Sequence, residues 1–343
     1  MAEIPFFDLS AAHAELRPEI DKALARTVDS GSFILGDELT AVEGAWAAYT
    51  HAAHCVGVGN GLDALHLALR AMDVGVGCEV IVPSNTYIAT WLAVTQSGAV
   101  PVPVEPDIST FNIDTSRIEA AITPRTRGVL PVHLYGQPAD IDSINDIARR
   151  HGLFVLEDAA QAHGALYKGQ PVGSLSRATA WSFYPSKNLG AMGDSGAVTT
   201  GDVEVAERVR RLRNYGSSAK NVNEVAGYNS RLDELQAAVL QVKLLVLDEW
   251  NARRRSIARR YLDAFTGTDL FLPAIPSWAS PAWHLFVIRS DRRDHLRAHL
   301  AVHGVETAIH YPRPPHLQEA YQGLGYARGS LPIAERIHDE VLS

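Results

Sequence analysis

The sequence has few cysteines, few charged residues and no apolar run long enough to cross a bilayer. Cys55 and Cys78 are the only cysteines among 343 residues, which is too few for a disulfide framework and indicates free, buried thiols in a reducing compartment. The N-terminus lacks the basic and apolar segments of a secretory signal. No window has the length of a membrane-spanning helix. We therefore expect a cytoplasmic protein that is neither secreted nor embedded in a membrane.

Charged residues account for only 20% of the chain, and 31 basic against 39 acidic residues leave a net charge of −8. This net charge opposes binding to nucleic acid. One basic run, Arg253–Arg255 followed by Arg259 and Arg260, lies in a helical pattern without interleaved aromatics, which favours a solvated helix face. The hydrophobic fraction of 46% is that of a globular protein and excludes a disordered chain.

Short apolar runs alternate with amphipathic helical patterns through most of the chain. This alternation predicts βαβ units and a mostly parallel sheet with helices on both faces. The predicted strands are His54–Val58, Val80–Val82, Val100–Val104, Gly128–Val132, Leu153–Leu156, Ala178–Phe183 and Gly196–Thr199. The predicted helices are Ala11–Asp29, Leu39–Tyr49, Leu62–Met72, Ile88–Gln96, Ile118–Ile122, Ile141–Arg150, Val205–Arg213 and Leu232–Phe265. Ligands on such sheets bind at the carboxyl ends of the strands.

The pattern changes after Trp250. A strand at Trp283–Ile288, a helix at Asp291–Val302 and a strand at Val305–Thr307 predict a small α+β unit. A chain of 343 residues also exceeds the size at which one hydrophobic core stops growing. We expect a large domain over residues 1–249 and a smaller C-terminal domain over residues 250–343.

The segment Gly59–Ala64 matches G-x-G-x-x-A directly after a predicted strand and at the start of a helix. A dinucleotide site would also need an acidic residue at the end of the next strand, but the nearby Glu79 stands at the start of that strand. NAD binding is therefore only a remote alternative. Backbone N–H groups of Gly61 and Leu62 at a helix N-terminus would instead suit a single phosphate.

Two further candidates carry acid and amine groups. Glu157 and Asp158 follow an apolar strand, where carboxylates are often only caps. Lys187 lies in a loop with aromatic residues, proline and glycines, and such a lysine is either a solvated charge or a buried amine that forms a Schiff base. The spacing Tyr184-x-x-Lys187 differs from the Y-x-x-x-K of short-chain dehydrogenases.

An acid at a strand end, a glycine turn for one phosphate and a loop lysine together suit pyridoxal 5'-phosphate. With its motifs, the sequence resembles the DegT/DnrJ/StrS nucleotide-sugar aminotransferases, which depend on this cofactor and have the fold-type I, aspartate aminotransferase-like α/β architecture. The matching motifs, in the family's order, are Gly59–Leu65, Val82–Thr90, Glu157–Gly164, the segment around Lys187 and Tyr228–Ala238. Each motif is weak alone, but the set is specific. It spans about Phe6 to Tyr321.

The resemblance implies a role for each matching cofactor residue. Lys187 would bond covalently to the cofactor and shuttle the proton, and Asp158 would keep the pyridine nitrogen protonated. The other implied cofactor contacts are Gly61, Leu62 and Ser182 at the phosphate, Tyr87 on the ring face, Gln161 at the ring hydroxyl, and Asn229 from the neighbouring subunit. The contact from Asn229 implies a homodimer with shared active sites.

The family also suggests where a substrate would bind. The matching positions near the sugar are His163, His310 and Tyr311, with Tyr184 and Lys220 as weaker candidates for sugar or diphosphate contact. A buried His163 with a structural hydrogen bond is the alternative reading. His51, His54 and Cys55 could be drawn as metal ligands, but no second cluster completes such a site, so no metal is predicted.

The reaction implied has two halves. An amino donor, by resemblance L-glutamate, would convert the cofactor to pyridoxamine phosphate, which would aminate the keto-sugar of a nucleoside diphosphate. The motifs are most similar to the branch acting on dTDP-linked 3-keto-6-deoxyhexoses, as in lipopolysaccharide or antibiotic glycosylation. A 4-keto-sugar aminotransferase, a sugar dehydratase and a non-catalytic regulatory relative are the alternatives. In the dehydratase branch the position of Lys187 carries histidine.

Two departures from the family pattern stand out. Ser186 occupies a position where the 3-keto branch usually has glycine. The chain also stops at Ser343, where relatives continue with a final strand and helix. From this we expect a loosened small domain and impaired closure over the substrate, with the cofactor site retained.

Overall fold

The computed structural model describes residues 3–343. In chain order its strands are β1 (His54–Val58), β2 (Glu79–Pro83), β3 (Val100–Val104), β4 (Thr126–Val129), β5 (Phe154–Asp158), β6 (Leu166–Tyr167), β7 (Gln170–Pro171), β8 (Ala178–Ser182), β9 (Gly196–Thr200), β10 (Ser217–Ala219), β11 (Val222–Asn223), β12 (Ala279–Ser280), β13 (Ile288–Arg289) and β14 (Val341–Leu342). The α-helices are α1 (Leu9–Glu15), α2 (Arg17–Ser30), α3 (Asp37–Tyr49), α4 (Gly61–Ala71), α5 (Ile88–Gln96), α6 (Ile141–His151), α7 (Val203–Leu212), α8 (Glu234–Leu244), α9 (Leu247–Phe265), α10 (Arg293–Val302) and α11 (Pro332–Glu340).

A seven-stranded sheet in the order β1-β9-β8-β5-β4-β2-β3 organises the fold. Strand β9 is antiparallel to both of its neighbours, and the other neighbouring pairs are parallel. Since parallel strands need crossover connections, helices lie over the faces of the sheet. The predicted mostly parallel sheet flanked by helices is thereby confirmed.

The helices pack through apolar stripes. On α6 the buried residues Ile141, Ile144, Ile147 and Ala148 recur at helical spacing and join the core around β5. Gly152 then ends α6 in the left-handed conformation. Similar burial of α4 and α5 fills the other side of the sheet. This packing fixes which strand ends meet at one edge.

Three chain segments reach that edge together. Strands β5 and β8 are parallel neighbours that end at Asp158 and Ser182. Strand β1 is antiparallel to β9, which is antiparallel to β8, so β1 runs in the direction of β8 and α4 starts at the same edge. The edge therefore joins the first turn of α4 to the ends of β5 and β8.

The predicted helix over Leu232–Phe265 was wrong in one respect. It is divided into α8 and α9, because Val246 leaves the helical conformation at φ −114° and ψ 3°. Leu245, at the junction, is largely exposed. The apolar periodicity continued through the break, and so the sequence pattern did not reveal it. Similarly, the helix predicted over Ala11–Asp29 is divided at Leu16 into α1 and α2, and Pro18 lies inside the first turn of α2.

Three other predicted elements differ. The predicted strand Trp283–Ile288 is reduced to β13, because Leu285 hydrogen-bonds to Tyr135, as Ala282 just before the strand does to Gly136. Val305–Thr307 forms only a bridge between Ile4 and Val305. The helix predicted at Ile118–Ile122 is a short 3-10 turn at Glu119–Ala121, preceded by another at Thr115–Arg117.

Residue 250, where the sequence places the smaller domain, lies within α9, and that division stays a prediction. Both cysteines are free; Cys55 is buried, but Cys78 is only partly so, contrary to expectation. Among the helices described within residues 3–343, none is long and apolar enough to cross a membrane.

Candidate active site

The first turn of α4 presents two free backbone N–H groups. Asn60 caps the helix by accepting a hydrogen bond from the Asp63 N–H at 2.8 Å. The N–H groups of Gly61 and Leu62 make no hydrogen bond within residues 3–343. With the positive end of the helix dipole, they suit a phosphate.

Glycines let β8 and β9 approach this turn closely. A Cβ at Gly61 would lie 2.5 Å from the Ser182 Cβ, so only glycine allows Ser182 to stand beside the helix N-terminus. A Cβ at Gly196, the first residue of β9, would collide with the carbonyls of Asn60 and Trp181. These contacts bring the Ser182 hydroxyl beside the two N–H groups.

Asp158 is buried at the end of β5 without a cationic salt-bridge partner among the described residues. Its Oδ2 accepts a hydrogen bond from the Thr90 hydroxyl at 2.8 Å, and its Oδ1 accepts one from the Ala160 N–H at 3.1 Å. Burial raises the pKa of Asp158, while these hydrogen bonds and the Lys187 amine oppose the rise. A protonated nitrogen on a ligand would supply the positive charge that this carboxylate lacks.

Glu157, the other half of the carboxylate pair, faces the opposite side of the sheet because side chains alternate along a strand. It is fully buried, and its Oε2 lies 2.8 Å from the Nε2 of His133. The Nδ1 of His133 accepts a hydrogen bond from the Ala139 N–H, so Nε2 carries the proton of the neutral ring and donates to Glu157. Glu157 is therefore structural, and Asp158 is the carboxylate available to a ligand.

Lys187 lies in a tight loop between β8 and β9. The Lys187 N–H donates to the Tyr184 carbonyl at 2.8 Å, and the Ala191 N–H closes the loop on the Phe183 carbonyl at 2.8 Å. Burial lowers the pKa of the Lys187 amine to about 8, against the opposing effect of Asp158. A substantial fraction of the amine is therefore unprotonated, and thus nucleophilic, slightly above neutral pH.

Gln161 and Tyr311, two predicted site residues, hydrogen-bond to each other near Asp158. The Gln161 Nε2 donates to the Tyr311 hydroxyl at 3.0 Å, and its Oε1 accepts from the Tyr135 N–H at 2.6 Å. The ring of Tyr311 lies 5.0 Å from that of half-exposed Tyr87, tilted by 35°. Burial raises the pKa of the Tyr311 hydroxyl, which stays protonated at neutral pH. The two tyrosine rings therefore lie against each other, and Gln161 hydrogen-bonds to the hydroxyl of one of them.

His163 and His310, the two histidines predicted near the sugar, have different surroundings. His163 is fully buried among Trp46, Trp181 and Phe183, and neither ring nitrogen has a hydrogen-bond partner among the described residues. Burial, aided by the Lys187 charge, lowers its pKa to about 3. The backbone of Ser182 opposes this shift of the pKa, so the structural hydrogen bond and the sugar contact of His163 both stay predictions.

His310 adjoins the Lys187 side of the site. Its Nδ1 lies 3.0 Å from the Ser343 hydroxyl, and its ring stacks on Phe6 at 5.5 Å. Burial lowers its pKa, and the Lys187 charge adds to this effect. It therefore lies close enough to Lys187 for their charges to interact.

Three predicted residues are not brought into the buried cluster. Tyr184 is half exposed, Lys220 is exposed at the turn between β10 and β11, and Asn229 is exposed beside a bridge to Asn214. Next to Asn229, the Ser230 hydroxyl donates to Asp63 at 2.6 Å and accepts from the Gly59 N–H at 3.0 Å. An exposed Asn229 is compatible with contact to a second subunit, which stays a prediction.

Four polar residues near the site were not predicted from the sequence: Thr90, Asn188, Asn251 and His284. Thr90 lies in the first turn of α5 and donates to Asp158, a position that helical spacing from Tyr87 could have indicated. Asn188 follows Lys187 directly and is buried. Asn251 and His284 come from distant segments, and no local pattern marked them.

The residues present suit pyridoxal 5'-phosphate. An unpaired buried carboxylate faces the place for a protonated ring nitrogen, and a helix N-terminus without partners faces the place for a phosphate. The amine with a lowered pKa lies close enough to Asp158 for their charges to interact. The three groups match the acid, the base and the anion site that this cofactor requires.

Comparison with known proteins gives concordant matches. The DegT/DnrJ/EryC1/StrS aminotransferase family profile matches residues 14–343. The chain is 56% identical over 342 residues to the erythromycin biosynthesis sensory transduction protein EryC1 of Saccharopolyspora erythraea, covering 99% of this chain and 93% of the relative. It is 55% identical to the dTDP-3-amino-3,4,6-trideoxy-α-D-glucose transaminase of Streptomyces venezuelae, covering 99% and 90%.

A crystal structure of S. venezuelae DesV in complex with a ketimine intermediate superposes with a TM-score of 0.99 at 54% identity, covering 100% of this chain and 93% of that one. These matches confirm the predicted fold class, enzyme class and pyridoxal phosphate dependence. The chain belongs to the DegT/DnrJ/EryC1/StrS aminotransferase family.

Proposed function

We propose that this chain transfers an amino group from L-glutamate to the keto carbon of a dTDP-linked 3-keto-6-deoxyhexose, giving the 3-amino sugar. The observation that carries the reaction type is the meeting of Asp158, Lys187 and the first turn of α4 at one sheet edge. The S. venezuelae relative, named for a dTDP-3-amino sugar, supports the substrate class.

The bound cofactor supplies an electron-accepting ring beside the carbon that gains or loses a proton. Asp158 holds a positive charge at the ring nitrogen, and Thr90 keeps that carboxylate oriented. Lys187 carries the proton to and from the reacting carbon, for which an amine with a pKa of about 8 is suited. Gly61, Leu62 and Ser182 hold the phosphate.

The remaining assignments follow from the same proposal. Tyr87 covers one ring face, Gln161 binds the ring hydroxyl, and Asn229 reaches the phosphate of the partner's site in a homodimer. The sugar would contact His163, Tyr184, Lys220, His310 and Tyr311. We propose a cytoplasmic homodimer working in the glycosylation of lipopolysaccharide or of an antibiotic.

The test is an absorption spectrum of the purified protein with added pyridoxal phosphate, recorded before and after L-glutamate. We expect a visible band of bound cofactor, which glutamate converts to the pyridoxamine form. Addition of the 3-keto sugar nucleotide should then restore the first spectrum and yield the amino sugar, identified by mass spectrometry. Absence of the band contradicts the cofactor assignment.

Two controls separate the alternatives. Lys187→Ala should abolish the covalent band, whereas Lys220→Ala, an exposed lysine, should keep it. A non-catalytic relative would show no conversion by glutamate, and a 4-keto-sugar enzyme would convert only the 4-keto substrate. If glutamate leaves the band unchanged while another amino acid converts it, the donor assignment is wrong.

A further inference from the structure

We propose that His284 binds the sugar substrate, its Nε2 accepting a hydrogen bond from a hydroxyl or amino group on the sugar ring. The inference rests on the proposed function, because it concerns how the nucleotide sugar is recognised. Its basis is a chain of hydrogen bonds that leaves this nitrogen as a fixed acceptor.

The segment that carries His284 lies along the wall of the site. The Ala282 N–H donates to the Gly136 carbonyl at 2.9 Å, and the Leu285 N–H donates to the Tyr135 carbonyl at 3.3 Å. A Cβ at Gly136 would lie 2.9 Å from both the His284 nitrogen and the Gln161 carbonyl oxygen. The backbone of His284 therefore lies beside that of Gln161, whose side chain binds Tyr311.

The orientation of the Asn188 amide is fixed by its surroundings. Its Nδ2 donates at 2.8 Å to the Ala282 carbonyl, and a backbone carbonyl can only accept. The second proton of this amide donates at 2.8 Å to the Oδ1 of Asn251. The Asn251 amide is oriented in the same way, because its Nδ2 donates to the His163 carbonyl at 2.8 Å. The Oδ1 of Asn188 therefore points away from the Ala282 carbonyl and from the Oδ1 of Asn251.

That oxygen lies 3.3 Å from the Nδ1 of His284. Since Oδ1 can only accept, Nδ1 carries the proton, and the neutral ring has its lone pair on Nε2. This nitrogen makes no hydrogen bond within residues 3–343, and it is not fully buried. It is thus accessible, on the ring edge turned away from buried Asn188.

The charges around His284 keep the ring neutral. Burial lowers its pKa well below the usual range, and nearby Lys187, Arg254, His163 and His310 add to the effect. Arg254 donates at 3.3 Å to the backbone carbonyls of Trp283 and His284, which fixes the segment from behind. A neutral imidazole with a fixed tautomer can accept but not donate at Nε2, and a sugar ring offers donors.

The experiment uses a matched pair of substitutions in the cofactor-loaded protein. His284→Asn keeps an amide N–H for Asn188 but has no acceptor at the Nε2 position, whereas the longer His284→Gln can place a carbonyl there. Calorimetric titration with dTDP-3-amino-3,4,6-trideoxy-α-D-glucose measures sugar binding, and titration with dTDP alone is the control. Thermal melting checks that both variants fold.

We expect His284→Asn to raise the Kd for the amino-sugar nucleotide about threefold to tenfold, as for one lost neutral hydrogen bond. His284→Gln should restore part of this affinity. The Kd for dTDP and the spectral conversion by glutamate should stay unchanged in both variants. The inference is overturned if His284→Asn leaves the Kd for the sugar nucleotide unchanged. It is also overturned if the Kd for dTDP rises by the same factor, or if spectral conversion by glutamate slows by the same factor.

Failure of the proposed function gives a different result. If the wild-type protein is converted by glutamate but binds no dTDP amino sugar, the substrate class is wrong, and the inference falls with it. If the wild type binds the sugar nucleotide, the proposed function stands, and the Kd values of His284→Asn and His284→Gln decide the role of His284.

Discussion

Lys187 owes its reactivity to its surroundings. Burial lowers the amine's pKa to about 8, and the charge of Asp158 opposes that shift. Because only the unprotonated amine attacks an aldehyde, covalent capture of added pyridoxal phosphate by the apoprotein should rise with pH around a midpoint near 8. Asp158→Asn removes the opposing charge, so the midpoint should move to lower pH. Borohydride trapping followed by peptide mass spectrometry measures capture at Lys187. A midpoint that moves upward in Asp158→Asn would contradict this electrostatic coupling.

Gly61 is required because Ser182 occupies the space of a side chain. In Gly61→Ala the new Cβ would lie 2.5 Å from the Ser182 Cβ, so the helix start or β8 must shift. We expect the Kd for pyridoxal phosphate to rise at least about tenfold, a loss of about 1.4 kcal/mol. Fluorescence titration of the apoprotein with the cofactor measures this.

Gly44 offers the matched control. It lies in α3, and a Cβ there would have nothing within 4 Å. Gly44→Ala should leave cofactor affinity unchanged and stabilise the helix by about 0.5–1 kcal/mol. Equal cofactor affinities in the two variants would mean that the close approach of Ser182 does not shape the phosphate site.

Lys243 of α8 links the loop that carries Lys187 to the N-terminal helix α1. Its side chain is buried, and its Nζ donates at 2.6 Å to the Gly190 carbonyl and lies 3.0 Å from the Nε2 of His13 on α1. It has no carboxylate partner in the described part of the chain, and burial lowers its pKa to about 8. This buried ammonium therefore anchors the loop three residues after Lys187.

The lowered pKa has a consequence for stability. The unfolded chain keeps Lys243 protonated up to its ordinary pKa of 10.5, whereas the folded chain releases the proton near 8. Between these values the unfolded state binds more protons, so the wild-type free energy of unfolding should rise with pH relative to Lys243→Met. The expected gain is on the order of 2 kcal/mol between about pH 8 and about pH 10.

Urea unfolding of the two proteins at several pH values measures the difference. Lys22→Met, at an exposed lysine on α2, is the control for the same change of residue type. If the gap between wild type and Lys243→Met is constant across this range, the folded and unfolded states bind equally many protons, and burial does not lower the pKa of Lys243.

The sequence predicted those elements whose apolar pattern is local. The strand His54–Val58 and the helix Ile88–Gln96 match residue for residue, because each is a short, mostly apolar run bounded by turn residues. The break at Val246 and the loss of strand at Trp283 were missed, since both depend on packing against distant segments. For the same reason, Asp158 and Lys187 could be selected as candidates, but the Asn251–Asn188–His284 chain could not.

An active site shared between two subunits predicts complementation between inactive variants. Lys187→Ala lacks the reacting amine, and Asn229→Ala lacks the contact proposed to cross the interface. In a mixed dimer one site carries both defects and the other carries neither. Equal mixing with subunit exchange should therefore leave about a quarter of all sites intact. Activity of the mixture against each variant alone measures this.

The opposite arrangement gives a clear contrary result. If Asn229 serves the site of its own chain, every site in a mixed dimer carries one defect, and mixing restores nothing. Light scattering of each variant establishes that dimers form before mixing. A monomer in solution would contradict the dimer directly.

Strand β9 follows Lys187 in the chain, yet it lies between β1 and β8 in the sheet. Gly196 of that strand separates Asn60 from Trp181, so it spaces the helix start from the end of β8. During synthesis, a nascent chain that has emerged only through Lys187 holds the reactive amine, the carboxylate and both phosphate-facing amides, but no pocket. Since β9 lies between β1 and β8, residues beyond Lys187 complete the part of the sheet that joins the start of α4 to the end of β8.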